Sequence, residues 1–445
     1  MNDNLIKSLK SALDKGKEIE QNVLEFDPVY DNMLKANELV KEFIITNGLI
    51  IYGGTAIDMA LRLLGDKIYP DNMFPDLDFY SPNNTTHAYQ LADILYHNGF
   101  KECRVINALH MKTMKVDIID NHFIADISYQ PEEIFNLIPT LTYNGMKIVH
   151  PLFQSIDTHS ALCFPYDGAP KEVIFARWKK DISRFQLLSK YYPIVTENVV
   201  TIGKKISIPI TMRKQVLSGI IAYAFMCKKF TEKLQSKPAI NIQLLITDSI
   251  ITFDTIQLPE SDYIDIVHFD IEKAAAQLSL NDIKIYEPVG SILPMKLIGR
   301  MSNHDVRILS TKNKLLSIDT FHTDHGSFRI VNSQFLLKYF LAMYFAHNSP
   351  GYLALYDSLL SMVLTEDSPL GLSIDTYGND NVDISKQVLL NKLYSDLYDD
   401  VPFIIPSNYY PNRNIPIMRP HPPFNPDDSE FFRENGKLMT LKHNQ

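Results

Sequence analysis

Apolar residues recur at helical spacing through Ala36, Leu39, Val40, Phe43 and Ile44, which predicts one buried helical face before residue 47. From Gly48 the period changes. A short apolar run at 49–52 reads as a strand, Gly53-Gly54 breaks it, and Ala56, Met59, Ala60 and Leu63 form the stripe of a helix. A loop with Pro70 and Pro75 leads to a strand at 76–80. Residues 83–86 then offer N-cap candidates for a helix whose inner face is Ala88, Leu91, Ala92 and Leu95, ended by Gly99. A strand is expected at 104–107. Residues 111–119 and 122–129 read as a hairpin turning at Asp120-Asn121.

Beyond Pro151 the pattern is mainly helical to about Pro238, most clearly over 175–191. Strand-like runs return at 240–253 and 306–331, with helices between 334 and 364. After Val401 prolines crowd the chain, and an extended tail is expected. The fold class is therefore α/β (α+β). The expected parts are a helical segment at 1–47, an α/β unit at 48–150, a helical segment at 151–238, a second α/β unit at 239–400 and a Pro-rich tail at 401–445.

A length of 445 residues exceeds what one core usually supports, which agrees with several domains. The formal net charge of −9 argues against a surface coated in positive potential, so any nucleic-acid contact must be a local basic groove. Cys103, Cys163 and Cys227 lie far apart and are odd in number, and they read as thiols of a reducing compartment. No secretory h-region or span-length apolar run is evident, and a cytoplasmic protein is expected. The histidines show no HxxxH or HExxH spacing, so zinc chemistry has no footing.

Candidate chemistry sits in one unit: strand, Gly53-Gly54-Thr55, helix, then Asp76-Leu77-Asp78-Phe79 on a following strand. Alternation along a strand points Asp76 and Asp78 to one side and Leu77 and Phe79 to the core. Two adjacent carboxylates repel, and the pair is tolerable when hard divalent cations sit between them. A Gly-Gly helix start bares backbone N–H groups at the positive end of the helix dipole, a seat for triphosphate oxygens to which Thr55 can add a hydroxyl. Two-metal phosphoryl transfer needs a third carboxylate. With a two-residue turn at 120–121, Lys115 faces Asp126 and Asp117 faces Ile124, so Asp117 and Asp126 share a face; spacing does not choose between them.

These residues resemble the nucleotidyltransferase superfamily, and more closely the poly(A) polymerase catalytic subunits of large cytoplasmic DNA viruses. The likeness is carried by Tyr52-Gly53-Gly54-Thr55-Ala56, by Pro75-Asp76-Leu77-Asp78-Phe79-Tyr80-Ser81, by Ala125-Asp126-Ile127-Ser128, and by Arg177-Trp178-Lys179-Lys180 with Arg184 one turn later. It selects Asp126 as the third carboxylate. It also implies a catalytic nucleotidyltransferase domain at 48–150 and a degenerate second copy of that fold in the C-terminal unit. The spacer from Gly54 to Asp76 is longer than in many superfamily members and leaves the loop around 65–74 without a clear counterpart.

The resemblance implies a template-independent polymerase that adds AMP from ATP to RNA 3′ ends. Two Mg²⁺ (or Mn²⁺) ions would be held by Asp76, Asp78 and Asp126, with Gly53, Gly54 and Thr55 on the phosphates. Arg177, Lys180 and Arg184 fall on one helical face and either contact triphosphate or RNA, or form a solvated face beside Asp181. Expected partners are RNA, ATP and either a second copy or a processivity subunit, in the host cytoplasm or virion. Two other readings stay open: a nucleotidyltransferase making a short or cyclic oligonucleotide, and a catalytically silent RNA-binding subunit of the same fold.

Overall fold

Helix α1 (Tyr30–Thr46) forms where the stripe requires it and buries Ala36, Val40, Phe43 and Ile44. In the computed structural model the described residues are 30–371, with breaks at 72, 101–102, 109–112, 119–121, 164–175, 197–199, 269, 287–293, 295 and 312–317, together with 11–12 and 15–16. The expected turn at 120–121, the Pro-rich tail and most of the first 29 residues lie outside them. The described chain divides into two compact units. One holds residues up to 130 and 139–150; the other holds 131–138 and the chain from 151 onward.

The first unit is built on a seven-stranded mixed sheet. Its strands are β1 (Ile50–Ile51), β2 (Leu77–Ser81), β3 (Arg104–Asn107), β4 (Thr113–Ile118), β5 (His122–Tyr129), β6 (Thr140–Tyr143) and β7 (Met146–Val149), in the order β3-β4-β5-β2-β1-β7-β6. Helix α2 (Gly53–Arg62) joins β1 to β2, and α3 (Asn84–His97) follows β2. Leu77, Phe79, Ala125 and Ile127 are at most 1% exposed, and large apolar side chains buried this way contribute roughly 1.5–3 kcal/mol each. That core fixes the register in which parallel β2 and β5 place Asp78 opposite Asp126.

Two local features depart from expectation. Lys115 does face Asp126, but a register shift between Val116 and Asp117 sets Asp117 against Phe123 and Ile118 against His122. The parity that gave Asp117 and Asp126 a common face is lost at that bulge. The hairpin β6–β7 was not anticipated, although its turn is Asn144-Gly145, with φ of +47° and +81°, the pairing that type I′ turns demand.

The second unit corrects the reading of 151–238 as helical. After α4 (Glu132–Phe135), α5 (Pro151–Cys163) and α6 (Ala176–Tyr191) come strands β8 (Ile202–Pro209) and β9 (Val216–Leu217). Buried Ile206 and Ile208 alternate with exposed Lys205 and Ser207, a period of two that the surrounding helical texture masked. Helix α7 (Gly219–Leu234) follows, then β10 (Leu244–Ile246), β11 (Ile250–Ile256), β12 (Ile264–His268), α8 (Ile271–Gln277), β13 (Asn281–Tyr286), β14 (Lys296–Met301), β15 (His304–Ser310), β16 (Ile318–Thr323), β17 (Gly326–Val331), α9 (Ser333–His347) and α10 (Pro350–Leu364).

Strands β8, β10 and β11 form a small antiparallel sheet. The rest form a second seven-stranded sheet in the order β13-β14-β15-β12-β9-β17-β16. Every neighbour relation repeats that of the first sheet: β9 is antiparallel to β12 and parallel to β17, and β12 is parallel to β15, as β1 is to β2 and β7, and β2 to β5. The second sheet therefore begins at residue 216, upstream of the expected boundary at 239. Among the described residues no helix is long and apolar enough to cross a membrane.

Candidate metal and nucleotide site

Strand β1 ends at Ile51, and the chain must turn at once into α2. Gly53 makes that turn at φ +73°, and a Cβ there would lie 2.5 Å from Asp78 Oδ2. Only glycine meets both conditions. The Tyr52 N–H donates to the Asp78 carbonyl at 2.8 Å, which ties the helix start to β2 beside the carboxylate.

Asp76 is exposed just ahead of β2, Asp78 is half-buried within it, and Asp126 on β5 is 9% exposed. Each offers an oxygen, and those three oxygens lie within 4.8 Å of one another. Burial raises the pKa of Asp126, and the charge of Asp76 adds to the rise; the Lys115 ammonium, 2.9 Å from Asp126 Oδ2, opposes both. Asp126 Oδ1 is buried without a hydrogen-bond partner. A buried acceptor left over beside two more carboxylates, in an all-oxygen set, fits a hard divalent cation.

Asp117 stands apart. It is fully buried on Arg104, whose Nε donates to its Oδ1 at 2.8 Å and whose Nη2 donates to Oδ2. Its charge is engaged in a structural pair, and of the two candidates that spacing left open it is Asp126 that lies with Asp76 and Asp78.

Thr55, expected to add a hydroxyl to the phosphate seat, is held by a bond of its own. It is buried, and its hydroxyl donates to the Asp76 carbonyl at 3.0 Å, anchoring the strand entry on which Asp76 sits. Gly54 is buried in the first turn of α2. The long spacer is held in place from α2: Asp58 Oδ1 accepts from the Ile68 and Tyr69 amides at 2.6 and 2.8 Å, and Asp58 Oδ2 accepts from Arg62 Nε at 2.6 Å. Arg62 also donates to the Tyr69 carbonyl and to Asp71, whose carboxyl is held down to about 2 chiefly by that bond. Anchored at 68, 69 and 71, this segment is fastened to its helix.

Arg177, Lys180 and Arg184 share helix α6, with Lys180 exposed and Arg184 half-buried. They belong to the second unit, whereas the three carboxylates belong to the first. Sequence reasoning gave no role to Lys115, although its cross-strand position was readable from the hairpin. Nor did it find the chain in which Tyr52 OH meets Ser128 Oγ at 2.8 Å and Ser128 Oγ meets Thr113 Oγ1 at 2.7 Å, beneath a stack of Tyr52 on Tyr80 at 4.1 Å. The three cysteines are free and buried.

Comparison with known proteins adds a second line. Residues 38–168 match the family described as "Poly(A) polymerase catalytic subunit". A protein of African swine fever virus (strain Badajoz 1971 Vero-adapted) named "Putative poly(A) polymerase catalytic subunit" is 36% identical over 356 residues, covering 75% of this chain and 73% of its own length. One from Acanthamoeba polyphaga mimivirus is 33% identical over 159 residues, covering 35% of this chain and 26% of its own. The crystal structure of the Megavirus polyadenylate synthase matches with a TM-score of 0.68 at 19% identity, over 89% of this chain and 83% of that one.

Proposed function

The chain belongs to the poly(A) polymerase catalytic subunit family, a family of nucleotidyltransferases, and from that premise we propose that it extends RNA 3′ ends with AMP taken from ATP. The observation that carries this reading is the convergence of Asp76, Asp78 and Asp126 oxygens within 4.8 Å beside the Gly53 turn.

On this reading Asp76, Asp78 and Asp126 are the residues that would hold the divalent ions. The chemistry that bound ions would supply is a lower pKa for an attacking hydroxyl and stabilisation of charge on a leaving pyrophosphate. The protein's own groups do the positioning. Lys115 holds one oxygen of Asp126 and leaves the other for a ligand, and its charge opposes the rise in pKa that burial imposes on that carboxyl. Thr55 fixes the backbone of Asp76. The N–H groups at the start of α2, freed of Cβ obstruction at Gly53 and Gly54, face the anionic leaving group. The hydroxyl attacks the α-phosphate, its oxygen forms the new ester bond, and pyrophosphate departs with the electrons of the broken bond.

The partners on this reading are ATP, the RNA 3′ end and either a second copy or a processivity subunit, in the cytoplasm of a virus-infected cell as the organisms of the relatives suggest. Arg177, Lys180 and Arg184 serve it as a basic helix for RNA or triphosphate.

The experiment is incubation of the purified chain with Mg²⁺ and each nucleoside triphosphate in turn, with and without an oligo(A) primer. A ladder that grows only with ATP and primer is expected. A short or cyclic soluble product made without primer, or no incorporation at all, contradicts the proposal.

A further inference from the structure

The two sheets match beyond strand order. Gly219 starts α7 at φ +59°, as Gly53 starts α2 at +73°, and a Cβ on Gly219 would collide with Asp265 Oδ2 just as one on Gly53 would meet Asp78 Oδ2. The Ser218 N–H donates to the Asp265 carbonyl at 2.8 Å, the bond that Tyr52 makes to Asp78. Asp265 lies on β12 and its parallel register partner on β15 is residue 307; Asp78 on β2 and Asp126 on β5 are partnered in the same way. Residue 263 precedes β12 as Asp76 precedes β2. The acidic trio Asp76, Asp78 and Asp126 thus has a positional counterpart in Tyr263, Asp265 and Arg307.

We infer that the second unit carries a copy of the catalytic centre in which the Arg307 guanidinium has taken the place of divalent cations. Arg307 is 1% exposed. Its Nε donates to Asp265 Oδ1 at 2.6 Å and its Nη2 to Asp265 Oδ2 at 3.0 Å, a bidentate grip on the one surviving carboxylate of the trio. Its Nη1 donates to Glu260, and the Tyr339 hydroxyl lies on Nη2 and donates to Asp265 at 3.1 Å. The Tyr263 ring, where the first aspartate would stand, lies 4.9 Å from the guanidinium carbon. Lys296 Nζ, 3.2 Å from Glu260, and His347, 3.7 Å away, complete the neutralisation.

This assignment gives the buried arginine a reason. A glycine turn pressed against an aspartate concentrates negative charge at the end of a strand pair, and each copy must balance it. The first copy does so with exchangeable cations, for which Asp126 keeps a buried oxygen open. The second does so with a covalently attached cation whose Nε, Nη1 and Nη2 each donate within the protein. The second unit then contributes no metal site and needs no metal to fold.

The test is Mn²⁺ binding by the full chain, read by the quenching of free Mn²⁺ paramagnetic resonance. Asp76→Asn, Asp78→Asn and Asp126→Asn combined should weaken Mn²⁺ binding by about 100-fold or more, because the first copy holds every tight site. Adding Arg307→Asp to that triple variant should restore Mn²⁺ binding at one site per chain, through Glu260, Asp265 and the new carboxylate. Tight Mn²⁺ binding in the triple variant overturns the inference, and so does a folded quadruple variant that takes up no Mn²⁺. If Arg307→Asp prevents folding, the triple variant alone decides. If the unmodified chain binds no Mn²⁺, the reading of the first site fails, while the gain on Arg307→Asp still judges the second.

Discussion

Gly53 shows how a single residue ties the fold to the chemistry. Its left-handed backbone lets the chain leave β1 and enter α2 within two residues, and its missing side chain makes room for Asp78. Gly53→Ala adds a methyl where no space exists and a backbone cost of roughly 1–2 kcal/mol. The expected result is a lower melting temperature by several degrees, together with loss of nucleotidyl transfer, because the methyl can be admitted only by moving the Asp78 carboxylate. Scanning calorimetry and primer extension on the same sample check both parts. The role of Gly53 was legible in the sequence as a turn between a strand and a helix. Its contact with Asp78 was not, because sequence spacing does not give the pairing of β1 with β2.

At the level of elements, patterning located β2, α2, α3 and the β4–β5 hairpin, since each has an apolar face whose period matches its structure. Two signals were outweighed. Asn144-Gly145 sits between runs of only four residues, too short for alternation to stand out, and the isoleucines of β8 lie among helical segments. The bulge at Val116 and Asp117 accompanies a tertiary contact that spacing does not give: Asp117 meets Arg104 where it is closed off from solvent. Arg104→Ala takes from that buried carboxylate the guanidinium that balances its charge, at a cost of about 3–5 kcal/mol. Urea denaturation should show the midpoint falling accordingly, and the double variant Arg104→Ala, Asp117→Ala should recover part of the loss. A single variant as stable as the parent would mean that the pair contributes nothing net.

For the molecule as a whole, the repeated sheet is the principal fact; the family resemblance implied a second copy, whereas spacing alone did not show one, because what repeats is strand order and not the motifs. The second copy lacks the Gly-Gly pair and the Asp-x-Asp; Ile220 follows its single glycine and Arg307 holds its third acidic position. One buried histidine should make this second unit less stable in acid, against an opposite contribution from Asp319, whose carboxyl burial pushes up to about 6. His159 is fully buried between Gln334 and Tyr356, and burial pushes its pKa down to about 4 from 6.5. The unfolded chain takes up that proton near pH 6.5 and the folded chain does not. Stability is therefore full above pH 6.5 and lost as pH falls toward 4, by about 3 kcal/mol for such a displacement. Across that window the melting temperature of the parent should lose ground relative to that of His159→Gln as pH falls.

The acidic trio remains the centre of the account, and incorporation of labelled ATP into an oligo(A) primer by purified Asp78→Ala addresses it most directly. Incorporation should drop by about 100- to 1,000-fold while the melting temperature stays within a few degrees of the parent. A folded variant that still extends the primer at the parental rate would contradict the account.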